Sequence, residues 1–278
     1  MRVDLPDIPL LERFISGSVA WWSDARLRDV SGVVVAFSER CGGVSTGPYR
    51  GLDLGSHVGD DPLSVDANRD ALLDALGLRR WRDGLVCAEQ VHGDVVAVVG
   101  EDDRGSGASA RGGRNPVPGA DGLVTVDRGL PLMLCFADCV PVVLVAPGPS
   151  VAVVHAGWRG ALARIPAVAV RTLSESAGCA AADILAYVGP HIGPCHYQVD
   201  DALMSHFVNA FDTVSRAESG GLDLGAVVNA SLTDSGVDSC RIVALGCCTA
   251  EQTDHFYSYR AEGPVTGRHA AVACVLSP

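Results

Sequence analysis

The chain has 278 residues, of which 48% are hydrophobic and only 19% charged, so it can bury a substantial core and is too apolar for a disordered polymer. Its formal charge of −12, with no run of lysines or arginines, argues against general nucleic-acid binding; any phosphate must be held by a few placed arginines. Thirty-two glycines and fifteen prolines imply many turns and a strand-rich enzyme rather than a helical bundle.

Residues 1–30 show no clear period and lack the basic-then-apolar order of a secretory signal, so they are read as an N-terminal segment of a cytoplasmic protein. An apolar strand follows over 32–37, then a glycine-rich loop over 38–49. Ser64 is placed to cap a helix reaching about Leu76, closed by Gly77. Residues 85–91 and 95–99 read as a hairpin turning at His92-Gly93-Asp94. The polar stretch 101–118 reads as a mobile surface loop whose three arginines are solvated, with a substrate lid as the alternative.

Four strands are expected over 122–126, 132–136, 142–145 and 151–154, and a helix over 166–177 with Pro166 as its first residue. A strand over 184–188 enters the turn 189–195, and helices over 201–211 and 224–235 precede strands over 241–245 and 270–276. This irregular mixture favours an α+β fold with a mixed sheet over a doubly wound one. The most apolar stretch, 130–147, contains Asp138 and two internal prolines and is too short to span a membrane. The ten cysteines form no secreted disulfide framework, so reduced thiols are expected.

His92, Cys139 and His155 each stand at a strand end beside glycine or proline, where neighbouring strands can bring side chains to one point. Two imidazoles and a thiolate suit Zn²⁺ and leave a fourth position for a water made acidic by the metal. The same set accepts copper, given an axial Met such as Met133 or Met204. Spacings of 47 and 16 residues match no compact zinc-finger pattern, so ordinary packing stands as the competing reading. Arg40, Arg159, Arg260 and Arg268 each lie near glycine or serine, where a guanidinium can fork onto phosphate or carboxylate; surface ion pairing is their alternative. Cys195 beside His196, or Cys139 with a nearby His, also leaves a cysteine hydrolase open.

Eight ordered motifs span about residues 33–275. They include Arg40-Cys41-Gly42-Gly43-Val44-Ser45, His57-Val58-Gly59-Asp60-Asp61, Gln90-Val91-His92-Gly93, Ala120-Asp121-Gly122-Leu123 and Ala137-Asp138-Cys139-Val140-Pro141. Val154-His155-Ala156-Gly157-Trp158-Arg159-Gly160, Gly189-Pro190-His191-Ile192-Gly193-Pro194-Cys195, and Tyr257-Ser258-Tyr259-Arg260 with Thr266-Gly267-Arg268 complete them. Together they resemble the YfiH/laccase-domain family, whose members have been called multicopper polyphenol oxidase, purine nucleoside phosphorylase and peptidoglycan editing factor.

The resemblance implies a single-domain α+β sandwich, with a mixed β-sheet and flanking helices, whose catalytic domain occupies 31–278. It implies zinc (copper as the alternative) at His92, Cys139 and His155, and phosphorolysis of adenosine, inosine and methylthioadenosine with adenosine deamination beside it. By their chemistry, Arg40, Gln90, Arg159, Arg260 and Arg268 are the expected substrate and phosphate holders. The expected partners are a purine nucleoside and phosphate, with no nucleic acid or membrane, in a monomer or small homo-oligomer. The alternatives are a copper-dependent phenol oxidase, an amidohydrolase editing cell-wall precursors and a non-enzymatic binding protein. Asp53, His196, Gln198 and Ala261 depart from the family's usual Asn, Cys, Glu and Arg, which bears on substrate preference more than on the metal.

Overall fold

The apolar runs of the sequence become strands buried on both faces, which is why they read as continuous rather than alternating. A computed structural model of the chain describes residues 5–212 and 216–277. Twelve strands form two six-stranded mixed sheets packed face to face. The first runs in the order β1 (Glu12–Ser16), β2 (Val19–Ser23), β3 (Val33–Ser38), β12 (His269–Val275), β7 (Leu132–Phe136) and β4 (Val86–Cys87). The second runs β11 (Ile242–Ala244), β10 (Leu185–Val188), β8 (Val140–Ala146), β9 (Ser150–Ala156), β6 (Gly122–Thr125) and β5 (Val96–Val98). Among the described residues, the strand pairs β4–β7, β5–β6 and β10–β11 are parallel and the others antiparallel.

Val33, Val35 and Phe37 meet Val143, Val145 and Val153 between the sheets, and burying each such side chain is worth about 1.5–3 kcal/mol. On the outer face of the first sheet, Leu72 and Leu73 of helix α2 (Pro62–Ala75) pack on Val34, Ala36 and Val272. The second sheet is covered by α4 (Ile165–Ala177), α5 (Asp201–Ala210) and α6 (Leu224–Asp234). The result is the single-domain sandwich with flanking helices that the family resemblance implies. Among the described residues, no helix is long and apolar enough to cross a membrane.

Four local expectations change. Residues 12–31, patternless in sequence, supply the hairpin β1–β2 and helix α1 (Ala25–Ser31), and β2 pairs with β3 inside the first sheet. Helix α2 starts earlier than Ser64, because Asp61 is its cap: its carboxylate accepts from the N–H groups of Leu63 and Ser64 at 3.3 and 3.2 Å, and Pro62 follows.

The hairpin expected over 85–99 does not form. β4 joins the first sheet and β5 the second, so the segment between them crosses the sandwich. The stretch 101–118 is tied down rather than free: Asp66 accepts from Ser109 Oγ, Ala110 N and Arg111 Nε, and Arg104 Nη1 donates to the carbonyl of Gly129. None of its residues reaches the cavity described below, so it is no lid.

Candidate metal centre and cavity

Two crossings between the sheets and the end of one strand meet at one end of the sandwich. His92 lies between β4 and β5, Cys139 between β7 and β8, and His155 near the end of β9. Their donor atoms all lie within 4.8 Å of one another. The two imidazoles meet edge to face with centroids 4.8 Å apart, and Phe136 backs His155 at 5.4 Å.

The backbone is bent to achieve this. Among the described residues, four non-glycine residues have positive φ, and three of them, Gln90, His92 and Asp138, stand here. Asp121 holds the bend. Its fully buried carboxylate accepts from the N–H groups of Val91 (3.1 Å), His92 (3.0 Å) and Gly93 (2.7 Å), and lies 2.8 Å from His155 Nδ1. That bond fixes one ring nitrogen and leaves Nε2 for the centre, the arrangement that orients a metal-binding imidazole. Asp121 was not among the expected site residues, although its position, immediately before the apolar strand β6 and beside Gly122, was the available signal.

Burial opposes ionisation of Cys139, yet the charge of His155 and hydrogen bonds from His155 and His92 prevail and bring the thiol down to about 6. Burial likewise disfavours the charged His155, but the Cys139 thiolate and Asp121 raise it to about 9. Each group thus favours the charged form of the other, and the same negative sulfur and ring nitrogens suit a cation.

Gly157, the cap of helix α3 (Trp158–Leu162), leaves the space for it: a Cβ there would lie 2.8 Å from His92 Cδ2 and 3.2 Å from Cys139 Sγ. Gly157→Ala is therefore expected to leave the circular dichroism spectrum unchanged while weakening zinc binding about tenfold or more in a chelator competition. Undiminished zinc affinity would show that the three side chains do not act together.

The set floors a cavity of about 520 Å³ whose walls include His57, Trp158, Tyr197, Tyr259, Arg260 and Arg268. An adjoining cleft of about 210 Å³ carries Arg159, whose guanidinium lies 4.4 Å over the Trp158 ring. The surrounding wall, followed by the charge of Arg268, lowers the pKa of His57, although its side chain stays open to solvent from the cavity. Arg260 spans the wall, with its backbone N–H donating to Asp138 Oδ2 at 2.7 Å and its guanidinium packed 5.1 Å from the Tyr197 ring.

Two expected substrate contacts are otherwise engaged. Arg40 is not brought to the cavity: it donates to Glu262 Oε1 and the carbonyl of Thr253, and stacks on Tyr257. Gln90 lines the cavity, but its amide exchanges hydrogen bonds with the backbone of Cys135 at 2.8 and 2.9 Å, extending the ladder of β7.

Asp53 does not line the cavity. It lies fully buried behind Arg268, accepting from the N–H groups of Gly55 and Arg268 at 3.0 and 2.7 Å. Burial raises its pKa from 3.8 to about 7. A raised carboxyl contributes stability below 3.8 that is lost as pH climbs through about 7. The stability advantage of Asp53→Asn over the parent should grow by roughly 1–3 kcal/mol between about pH 5 and pH 8, read from urea unfolding. A difference that is flat with pH would remove Asp53 as the cause.

A family model described as multi-copper polyphenol oxidoreductase laccase matches residues 34–276. The purine nucleoside phosphorylase YlmD of Geobacillus stearothermophilus is 39% identical over 251 residues, covering 87% of this chain and 89% of that one. A purine nucleoside phosphorylase of Streptomyces coelicolor is 41% identical over 247 residues, 87% of this chain and 95% of its own. The crystal structure of YlmD from Geobacillus stearothermophilus matches with a TM-score of 0.86 at 34% identity, over 98% of this chain and 100% of that one. The Neisseria meningitidis protein NMB0706 matches with a TM-score of 0.71 at 30% identity, over 88% of this chain and 95% of that one.

Proposed function

Because the chain belongs to the multi-copper polyphenol oxidoreductase laccase family, we propose that it is a zinc-dependent purine nucleoside phosphorylase with adenosine deaminase activity. The observation that carries this reading is a three-donor set, His92, Cys139 and His155, on the floor of a cavity walled by aromatic rings and guanidinium groups. The names of the relatives support the substrate class.

The donor chemistry and the space left by Gly157 fit zinc. When bound there, zinc supplies Lewis-acid chemistry and the activation of water needed for deamination at a purine carbon. The remaining work falls to the chain's own side chains. Trp158, Tyr197 and Tyr259 offer faces and edges on which a purine can stack. Arg260 and Arg268 line the same cavity and supply the positive charge to hold phosphate against the ribose as the base departs. Arg159 in the adjoining cleft is a further phosphate holder in this reading. Gln90 shapes the floor rather than reaching for substrate.

Zinc is favoured over a blue-copper centre because neither Met133 nor Met204 lines the cavity; both are buried in the cores that pack on the outer faces of the sheets. The deciding experiment incubates zinc-loaded protein with inosine and phosphate and follows hypoxanthine and ribose 1-phosphate by chromatography, with adenosine to inosine conversion as the second arm. Both products are expected. Absence of any product from fully loaded protein would end the reading.

A further inference from the structure

A second group of soft donors adjoins Ile192 and Tyr197 of the cavity wall. Cys195 and His196 lie in the turn after β10, and Cys248 in the segment after β11. The two segments are held together by the N–H of Thr249 donating to the carbonyl of His191 at 3.0 Å. His196 Nδ1 is 3.0 Å from Cys195 Sγ and 3.5 Å from Cys248 Sγ, and the three donor atoms lie within 4.8 Å of one another. Tetrahedral zinc, at about 2.3 Å from sulfur and 2.0 Å from nitrogen, separates its ligands by roughly 3.5–3.8 Å, so only small side-chain shifts are needed.

Three further features suit a cation. The backbone N–H of Gly193 donates to Cys248 Sγ at 3.1 Å, a hydrogen bond of the kind that supports a metal-bound sulfur. A Cβ at Gly193 would lie 3.4 Å from both sulfurs, so the glycine keeps the space between them free. Cys195 is exposed and His196 half-buried, which gives an ion access from solvent.

We propose that Cys195, His196 and Cys248 form a second cation site, separate from the His92, Cys139 and His155 set, for a thiophilic ion of the Zn²⁺ class. On binding, the two thiols release their protons to solvent, neutral His196 contributes its ring nitrogen, and water completes the coordination. The ion clips together two segments that build the cavity. Ile192 and Tyr197, in the same turn, line it, and Thr249, next to Cys248, donates to Asp138 Oδ1 at 2.7 Å.

The test titrates reduced, full-length protein with Co²⁺ and follows thiolate-to-metal charge-transfer absorption alongside metal content by mass spectrometry. The wild type is expected to take up about two equivalents per chain. Cys195→Ser/Cys248→Ser and, as a milder change at a half-buried residue, His196→Asn should each lose one equivalent and keep the other. Cys139→Ser should retain one equivalent with the stronger band of a two-thiolate site. Metal uptake by Cys195→Ser/Cys248→Ser equal to that of the wild type, whether one equivalent or two, overturns the proposal. So does loss of alkylatable Cys195 and Cys248 to a disulfide during the reducing titration.

Discussion

Asp121→Ala is expected to weaken zinc binding roughly 10–100-fold and to cost about 3–5 kcal/mol of folding stability. The buried carboxylate serves three backbone N–H groups and one imidazole. Removing it leaves those donors without an acceptor, including the N–H of His92, which stands in the left-handed region. His155 also loses the partner that fixes which ring nitrogen faces the centre. Asp121→Asn keeps one oxygen acceptor and should fall between the parent and Asp121→Ala in both measurements. Urea unfolding reads the stability, and chelator competition on the folded protein reads the affinity. If Asp121→Ala binds zinc as tightly as the parent, Asp121 does not position His155.

Arg69→Met should be as damaging to folding although Arg69 does not line the cavity. Arg69 is only 2% exposed, and among the described residues its guanidinium is paired with carbonyls and no carboxylate. Nε and Nη2 donate to Leu54 O at 3.0 and 2.8 Å, and Nη1 donates to Gly107 O and Ala108 O at 2.8 and 2.9 Å. One side chain thus joins helix α2 to the strand-side segment at Leu54 and to the stretch 101–118. Methionine fills much of the volume but donates nothing: Gly107 O loses its donor, Leu54 O keeps only the weak Cys135 thiol, and Ala108 O keeps Arg82 Nη1, at about 1–3 kcal/mol for each carbonyl left poorly paired. A net loss of about 3–5 kcal/mol is a large part of the 5–15 kcal/mol that stabilises a typical domain. A drop in the urea midpoint is expected, together with faster proteolysis within 101–118. A midpoint within about 0.5 kcal/mol of the parent would mean that water replaces the guanidinium.

Most strands and helices were legible because their signal is local. The apolar runs that become β3, β7, β8 and β9 are buried on both faces, and Gly77 and Gly178 end α2 and α4 in the left-handed conformation expected of a closing glycine. The same local reading failed over 85–99. Two apolar segments around His92-Gly93-Asp94 have the look of a hairpin, but each pairs with a strand distant in sequence, β4 with β7 and β5 with β6. It failed also over 12–23, where charged and aromatic residues obscure the alternation of an edge hairpin; Ile15 is exposed while Ala20, its partner, is buried.

The site divides along the same line. By itself the sequence determined the chemical types available: two imidazoles and a thiol at strand ends, arginines beside glycines, and the ordered motifs that carry the family resemblance. Residue type and neighbouring glycine or proline are local properties, so they hold whatever the fold. Only the tertiary structure decided which groups meet. It drew the donor atoms of His92, Cys139 and His155 within 4.8 Å by sending the chain between two sheets at that edge. It gave Asp121 its four partners, turned Arg40 toward Glu262, and set Asp53 behind Arg268 rather than in the cavity. These outcomes depend on strand register and on the packing of segments far apart in sequence, and no pattern within a short window encodes either.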